Sequence, residues 1–422
     1  MKCCLVVLGC LAAAVSMGEE LTVPVRLYDV SHSHDRQTQR LTVTYRLENQ
    51  NQEPAYVTMD VLTNGVSIGL DKIKTPEGDI SQRGFDLTAA EPIPADGDLK
   101  TIVWNPRKDW YGNLGSNVTV VLSAWYTNTL PGVYMVVDLS GGPAAARYPV
   151  SYSLIPPDPE EHACRSSQLW FRYVPAGSFM MGAGPDDSGH LSNDEPINAK
   201  NREDYHAVTL TKPFFAGVFE VTCAQYQQVL GTESSMAGRD FIPVNHKNLN
   251  TLWGEGFDPS ESNDVAETSF FYALRQKTGL LFTLPTDAQW EYACRAGTTS
   301  PFNVDTNVVE VSKVAWYKGN SEGVLHEAGQ TVPNAWGFYD MHGNVSELCR
   351  DYMFEHLGTT AVTDPLCRKR DNSNQDFGYV VRGGYYKGSL KECRTPYRAW
   401  RAPDNKELVV RDGIRVWLTL EK

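Results

Sequence analysis

The sequence predicts two folded parts in one chain, an all-β sandwich followed by an irregular α+β domain rich in loops. Between residues 21 and 155, short apolar runs recur among clusters of Asn, Gly and Pro, the texture of an antiparallel sandwich. The run Pro156-Pro157-Asp158-Pro159-Glu160-Glu161 then breaks the pattern. Prolines fix φ and remove backbone donors, so residues 156–167 are expected to form a stiff connector. From 168 to 420 the texture changes again, with helix-start signals at Thr222 and Thr286 set among Gly-rich turns.

Ahead of both parts stands a leader. Met1-Lys2 gives a basic start, residues 3–15 are almost wholly apolar, and Ser16-Met17-Gly18 offers small residues for cleavage. Residues 1–18 therefore read as a signal peptide, too short to span a bilayer as a permanent helix. Val7-Leu8-Gly9-Cys10 loosely resembles a lipoprotein box, but few residues precede the cysteine. The expected address is secreted, periplasmic or extracellular, with lipidation the weaker option. In the sandwich region, the runs at 41–45 and 55–61 alternate with period two, and those at 118–122 and 133–137 are nearly continuous. Their lengths suit a domain of immunoglobulin-like size with Trp104, Trp110 and Trp125 as core candidates. No catalytic constellation lies there, so this part reads as a spacer or docking module.

Composition narrows the partners. The 422 residues carry 38 Lys and Arg against 51 Asp and Glu, a net charge of −13. That balance leaves no basic footprint for nucleic acid or for an anionic membrane surface. With 10 Trp and 20 Tyr, the chain is rich in groups that grip ligands. Of nine cysteines, Cys3, Cys4 and Cys10 fall in the leader, leaving Cys164, Cys223, Cys294, Cys349, Cys367 and Cys393. An even count in an exported chain favours disulfides over free thiols. No CxxC or paired-His motif points to structural zinc.

The second region carries the informative motifs. Phe171 to Gly182 reads as strand and turn, followed by Val208-Thr209-Leu210 and a short helix beginning at Thr222. Thr286 should cap a helix whose apolar face holds Trp290, Tyr292 and Ala293, with Gly297 ending it. Further on, Asp340 and Glu347 with the carbonyls of Gly343 and Val345 offer either an oxygen-rich cage for a hard cation or a tight turn capped by carboxylates. The chain closes with Arg382-Gly383-Gly384, Cys393-Arg394, Tyr397-Arg398, Pro403-Asp404 and Gly413-Ile414-Arg415-Val416.

That order resembles the sulfatase-modifying-factor family, whose best-known members are the formylglycine-generating enzymes. The resemblance runs over roughly residues 168 to 420 and is strongest from Leu284 to Gly297. Departures there are Gln289, where an acidic residue is usual, and Cys294, where Ala is frequent. The resemblance implies a C-type-lectin-like fold and a calcium ion at Asp340, Gly343, Val345 and Glu347. A second calcium site near 315–320 is not carried over, because the usual Asn-containing pattern is absent. It also implies oxidation of a sulfatase cysteine to formylglycine by O2, using Cu(I) held between two thiolates. The first of those cysteines falls on Gly388 and the second on Cys393, so the pair is incomplete and Cu(I) is not expected. Tyr385, Tyr386, Lys387, Tyr397, Arg398, Trp400 and Arg401 lie near where the enzymes grip a peptide, and such groups suit peptide and sugar alike. Candidate pairings are Cys294 with Cys393, Cys349 with Cys367 (about 3 kcal/mol if unstrained) and Cys164 with Cys223. Two function classes follow: an exported oxidase-like enzyme, or a non-catalytic extracellular module that binds a peptide, glycan or protein.

Overall fold

Alternation in the first region becomes two antiparallel sheets. One orders Arg26–Asp35, Arg40–Glu48, Asp96–Trp104 and Glu77–Gly78; the other orders Val66–Ser67, Ala55–Thr63 and Val118–Tyr126. The computed structural model describes residues 26–420 except 50–51, 53, 64–65, 69–71, 82–90, 111–113, 115–116, 127–133, 154–155, 185–202, 232–237, 246–248, 305–307, 355, 370–377 and 402–410. The leader, Pro403-Asp404 and the side chain of Trp125 lie outside the described residues. Successive strand residues point to opposite faces, so Leu41, Val43, Tyr45 and Leu47 all enter the core while their neighbours stay half-exposed. Leu41 pairs with Trp104 and Val43 with Ile102 on that same face. Both sheets bury a single apolar core, with Trp104 inside it and Trp110 packed at its margin. The Trp104 indole N–H, buried with its ring, donates to Asp109 at 2.8 Å.

The chain divides into two units, Met1–Val136 with Ser151–Pro156, and Val137–Val150 with Pro157–Lys422. Val137–Val150 thus belongs to the second unit, and its hydrogen bonds show how it is held. Leu139 N–H donates to the Ser167 carbonyl and Tyr148 N–H to that of Lys277. The Tyr148 hydroxyl donates to Gln228 O at 2.7 Å. Lys277 lies 4.7 Å over the Tyr148 ring and donates to Pro143 O at 2.7 Å.

The second unit is sheet-rich with short helices. Trp417–Thr419, Phe214–Gly217 and Gln168–Val174 pair antiparallel in that order. Gly177–Met181, His206–Leu210 and Val362–Thr363 form a second sheet. A third orders Ala399–Arg401, Tyr379–Arg382, Ser346–Tyr352 and Asp412–Gly413. The helix Cys223–Leu230 begins with a reciprocal cap between Thr222 and Gln225, as its sequence signal predicts. Asp287–Arg295 begins the same way: Thr286 Oγ accepts from Gln289 N–H, and the Gln289 side chain accepts from Thr286 N–H at 3.0 Å. This explains the amide at 289, which serves the cap as a carboxylate would. At the far end Ala296, not Gly297, first takes the left-handed conformation, at φ 45°, and Gly297 follows at φ 93°. Trp290 and Ala293 enter the main core of this unit, while Tyr292 packs edge-on against Trp336 at its border.

Candidate functional site

The helix Asp287–Arg295 places Asp287 and Glu291 one turn apart on a buried face, which brings their carboxylates onto a common partner. Arg382 reaches both, at 2.5 Å to each. It also donates to the carbonyls of Thr395 and Tyr397, at 2.8 and 3.0 Å. Arg398 takes the other Asp287 oxygen at 2.8 Å, and Arg295 takes Glu291 at 2.7 Å. Burial alone would raise both carboxyls. Arg382 and Arg398 outweigh it at Asp287, and Arg295 and Arg382 at Glu291, so both sit below the usual range. Nearby Asp351 is pushed up to about 7 by burial and by the charge of Asp287. These ion pairs bolt residues 395–398 to the helix. Arg398, expected to touch a ligand, is consumed inside the protein and also donates to Phe354 O.

At the expected calcium positions the two carboxylates are also held by protein donors. Both oxygens of Glu347 accept from Arg415, and one also accepts from the Trp290 indole at 2.7 Å. Asp340 accepts from Gly329 N–H at 2.5 Å and from the Thr331 hydroxyl at 2.9 Å. Gly343 N–H donates to Gly383 O, and Val345 N–H to the buried Glu220 carboxylate at 3.2 Å. Glu220 is driven well above its ordinary value by burial and by the charges of Asp340 and Glu347. Both carboxylates of the expected calcium set thus accept from protein donors, and burial raises Asp340. Among the described residues no group of three or more His, Cys, Asp or Glu is placed to hold a metal. At 315–320, Asn320 closes a turn on Tyr317 N–H and Ala315 O.

All six cysteines downstream of the leader are free thiols, so the expected pairs Cys294–Cys393, Cys349–Cys367 and Cys164–Cys223 are not formed. Cys294 lies in the main core, 3.6 Å from the Thr395 hydroxyl and 3.9 Å from His342 Nε2. Burial pushes its thiol up to about 12 and His342 down to about 4, so both groups stay neutral. The other His342 nitrogen, Nδ1, lies 2.8 Å from the Cys393 carbonyl. Cys349 is fully buried and Cys367 half-buried, its N–H held by Asp351 at 2.8 Å.

Cys393 sits in a small apolar cluster with Phe302, Val311 and Ala315. Burial and the charge of Glu392 raise its thiol far above the ordinary value. Its sulfur lies 3.7 Å from Ser389 O and 2.8 Å from where a Cβ on Gly384 would be. At Gly388, an added Cβ would stand 2.8 Å from a Glu392 oxygen and 3.0 Å from two ring carbons of Tyr385. The residues present do not fit a two-thiolate copper centre. One sulfur is neutral and enclosed, and the position of the other is filled by neighbours.

The remaining expected ligand-binding residues divide. Tyr386 is buried, its carbonyl accepting from Ser321 Oγ at 2.6 Å. Tyr385, Tyr397, Trp400 and Arg401 are half-buried. Arg401 pairs with Asp412 through both guanidinium arms, and Trp400 packs on the main core. Sequence reasoning missed Asn334. Its amide donates to Ala293 O and Cys294 O at the end of the helix, while its oxygen accepts from Trp336 and Phe338 N–H.

Fold and site together define a sheet-rich domain whose family signature residues form an ionic core. The chain belongs to the sulfatase-modifying factor family: residues 160–419 match the sulfatase-modifying factor enzyme 1-like domain. Among curated proteins it is similar to a protein named serine/threonine-protein kinase pkn1 of Chlamydia pneumoniae, 24% identical over 217 residues, covering 50% of this chain and 34% of the relative. It is also similar to chaperone protein LppX of Paenibacillus barcinonensis, 27% identical over 181 residues, 34% of this chain and 64% of the relative. The chain thus spans less than two thirds of either relative. Among solved structures, PvdO from Pseudomonas aeruginosa aligns at TM-score 0.46 and 24% identity, covering 60% of this chain and 94% of that one. Treponema denticola variable protein 1 aligns at 0.44 and 22%, covering 60% and 96%. No helix among the described residues is long and apolar enough to cross a membrane.

Proposed function

We propose that the second unit is a non-catalytic binding module that keeps the family's framework without its copper chemistry. One observation carries this reading: the space for a thiolate at Gly388 is taken by Tyr385 and Glu392, and the lone Cys393 is enclosed and neutral. A C-type-lectin-like framework of loops on short strands suits such a role, since loops on a rigid scaffold carry recognition. The strand order of the first unit, first-second-sixth-fifth against fourth-third-seventh, follows the ABED and C′CF order of immunoglobulin-like domains and supports a docking or spacer role there. The apolar leader supports export. Formylglycine generation rests on family membership alone. The test is to incubate the chain with Cu(I), O2 and a cysteine peptide copied from a sulfatase. The proposal expects no aldehyde product; turnover abolished by Cys393→Ser would overturn it.

A further inference from the structure

Resting on the reading of the second unit as a binding module, we infer that the surface around Tyr385 and Lys387 is built to receive an acidic peptide. The Arg411 guanidinium lies 5.4 Å from the Tyr385 ring centre, that ring 6.0 Å from Tyr386, and Lys387 Nζ 5.1 Å from the Tyr386 centre. Each of these two cations thus lies by one of two neighbouring aromatic rings. Lys318, also exposed, joins them where its N–H donates to Gly388 O at 2.9 Å, the turn being closed by Gly388 N–H on Tyr385 O. The frame is fixed: Tyr386 N–H donates to Asn344 O, and Ser346 N–H to Arg411 O.

Among the described residues, no carboxylate lies within ion-pairing distance of Lys318, Lys387 or Arg411, whereas Lys313, Arg394 and Arg401 each hold one. Of the described carboxylates near them in the chain, Asp412 and Glu392 are committed, and Glu322, four residues from Lys318, is exposed. Asp412 holds Arg401, and Glu392 caps its own turn through Ser389 N–H at 2.6 Å. Arg411 Nε is enclosed and has no hydrogen-bond partner among the described residues. Unpaired cations on a chain of net charge −13 are a local reversal of sign, which steers and orients an anionic partner. A sugar ring needs an open aromatic face to stack on. Here Tyr386 is buried and Tyr385 is half-buried under its own cation, so recognition falls to charge and to the guanidinium fork. Carboxylates along a peptide meet that requirement.

The test uses the full chain and fluorescence anisotropy with an alternating Glu-Ala peptide, its Gln-Ala counterpart and dextran sulfate. The Glu-Ala peptide is expected to bind in a salt-sensitive way and the Gln-Ala peptide not to bind. Reversing both exposed lysines (Lys318→Glu with Lys387→Glu) should weaken binding about tenfold or more, with the thermal midpoint unchanged. Arg411→Gln should weaken it too, and Lys313→Glu should not. Equal binding of both peptides, or indifference to the double reversal, overturns the inference. So does dextran sulfate binding more tightly than the peptide at equal charge, which would mark a glycan surface. Copper loading or peptide oxidation would overturn the non-catalytic reading instead, and leaves this result separately readable.

Discussion

Gly388 and Cys393 decide how the family signature reads in this chain, and both respond to substitution in ways that can be measured. A side chain at 388 has to displace the Tyr385 ring or the Glu392 carboxylate that caps the following turn. Gly388→Cys is therefore expected to cost about 1–3 kcal/mol in urea unfolding rather than restore a metal centre. A variant as stable as the parent would contradict the crowding. His342 gives a second test at this scale. Its ring is held neutral in the fold, with its value lowered from 6.5 to about 4, so the unfolded chain takes up a proton that the folded chain refuses. The stability this represents is complete above pH 6.5 and is lost as pH falls toward 4, by up to about 1.4 kcal/mol per unit. Urea midpoints of parent and His342→Gln should converge as pH drops from 7 to 5. Parallel curves would place the acid sensitivity elsewhere.

The helix Asp287–Arg295 shows what an element-level reading of sequence can and cannot deliver. Its start, its end and its apolar residues follow from Thr286, Gly297 and the spacing of Trp290 and Ala293, and the structure agrees within one residue at the C-terminus. The same holds for the strand at 41–45, where period two states which face is buried. At 55–61 Thr58 and Asp60 are buried as well, and the nearly continuous run at 118–122 buries only Val118, Val120 and Leu122. The partners of Asp287 and Glu291 could not be read in this way. Arg382 and Arg398 lie roughly a hundred residues along the chain, and nothing local distinguishes an arginine sealed in an ion pair from one that meets a ligand. For the same reason the donors that Asp340 and Glu347 meet, Thr331 and Arg415, could not be read from the motif. Glu291→Ala should cost about 3–5 kcal/mol, because it strips charge from the buried Arg295 and Arg382. Thr286→Ala should cost only about 1 kcal/mol, the value of a cap. Chemical denaturation of the two variants checks the order, and a reversed order would show that the ionic core matters less than its burial suggests.

Across the whole molecule, compactness and sequence texture divide the chain differently. The prolines near 156 mark a change in composition, yet Val137–Val150 already belongs to the second unit, held through Tyr148 and Lys277. Tyr148→Phe removes the hydroxyl bond to Gln228 O and should lower the stability of that unit by about 1 kcal/mol. Hydrogen exchange of the helix Phe270–Thr278 reads this directly, and unchanged protection would show that the segment is not needed there. The central claim is that this family framework stands without a copper centre. Its most direct test is a Cu(I) titration of the full chain under reducing conditions, with Cys393→Ser alongside and thiols counted after denaturation without reductant. The account predicts no stoichiometric copper in either protein and six reactive thiols beyond the leader. One tightly held Cu(I) per chain, lost in Cys393→Ser, would contradict it.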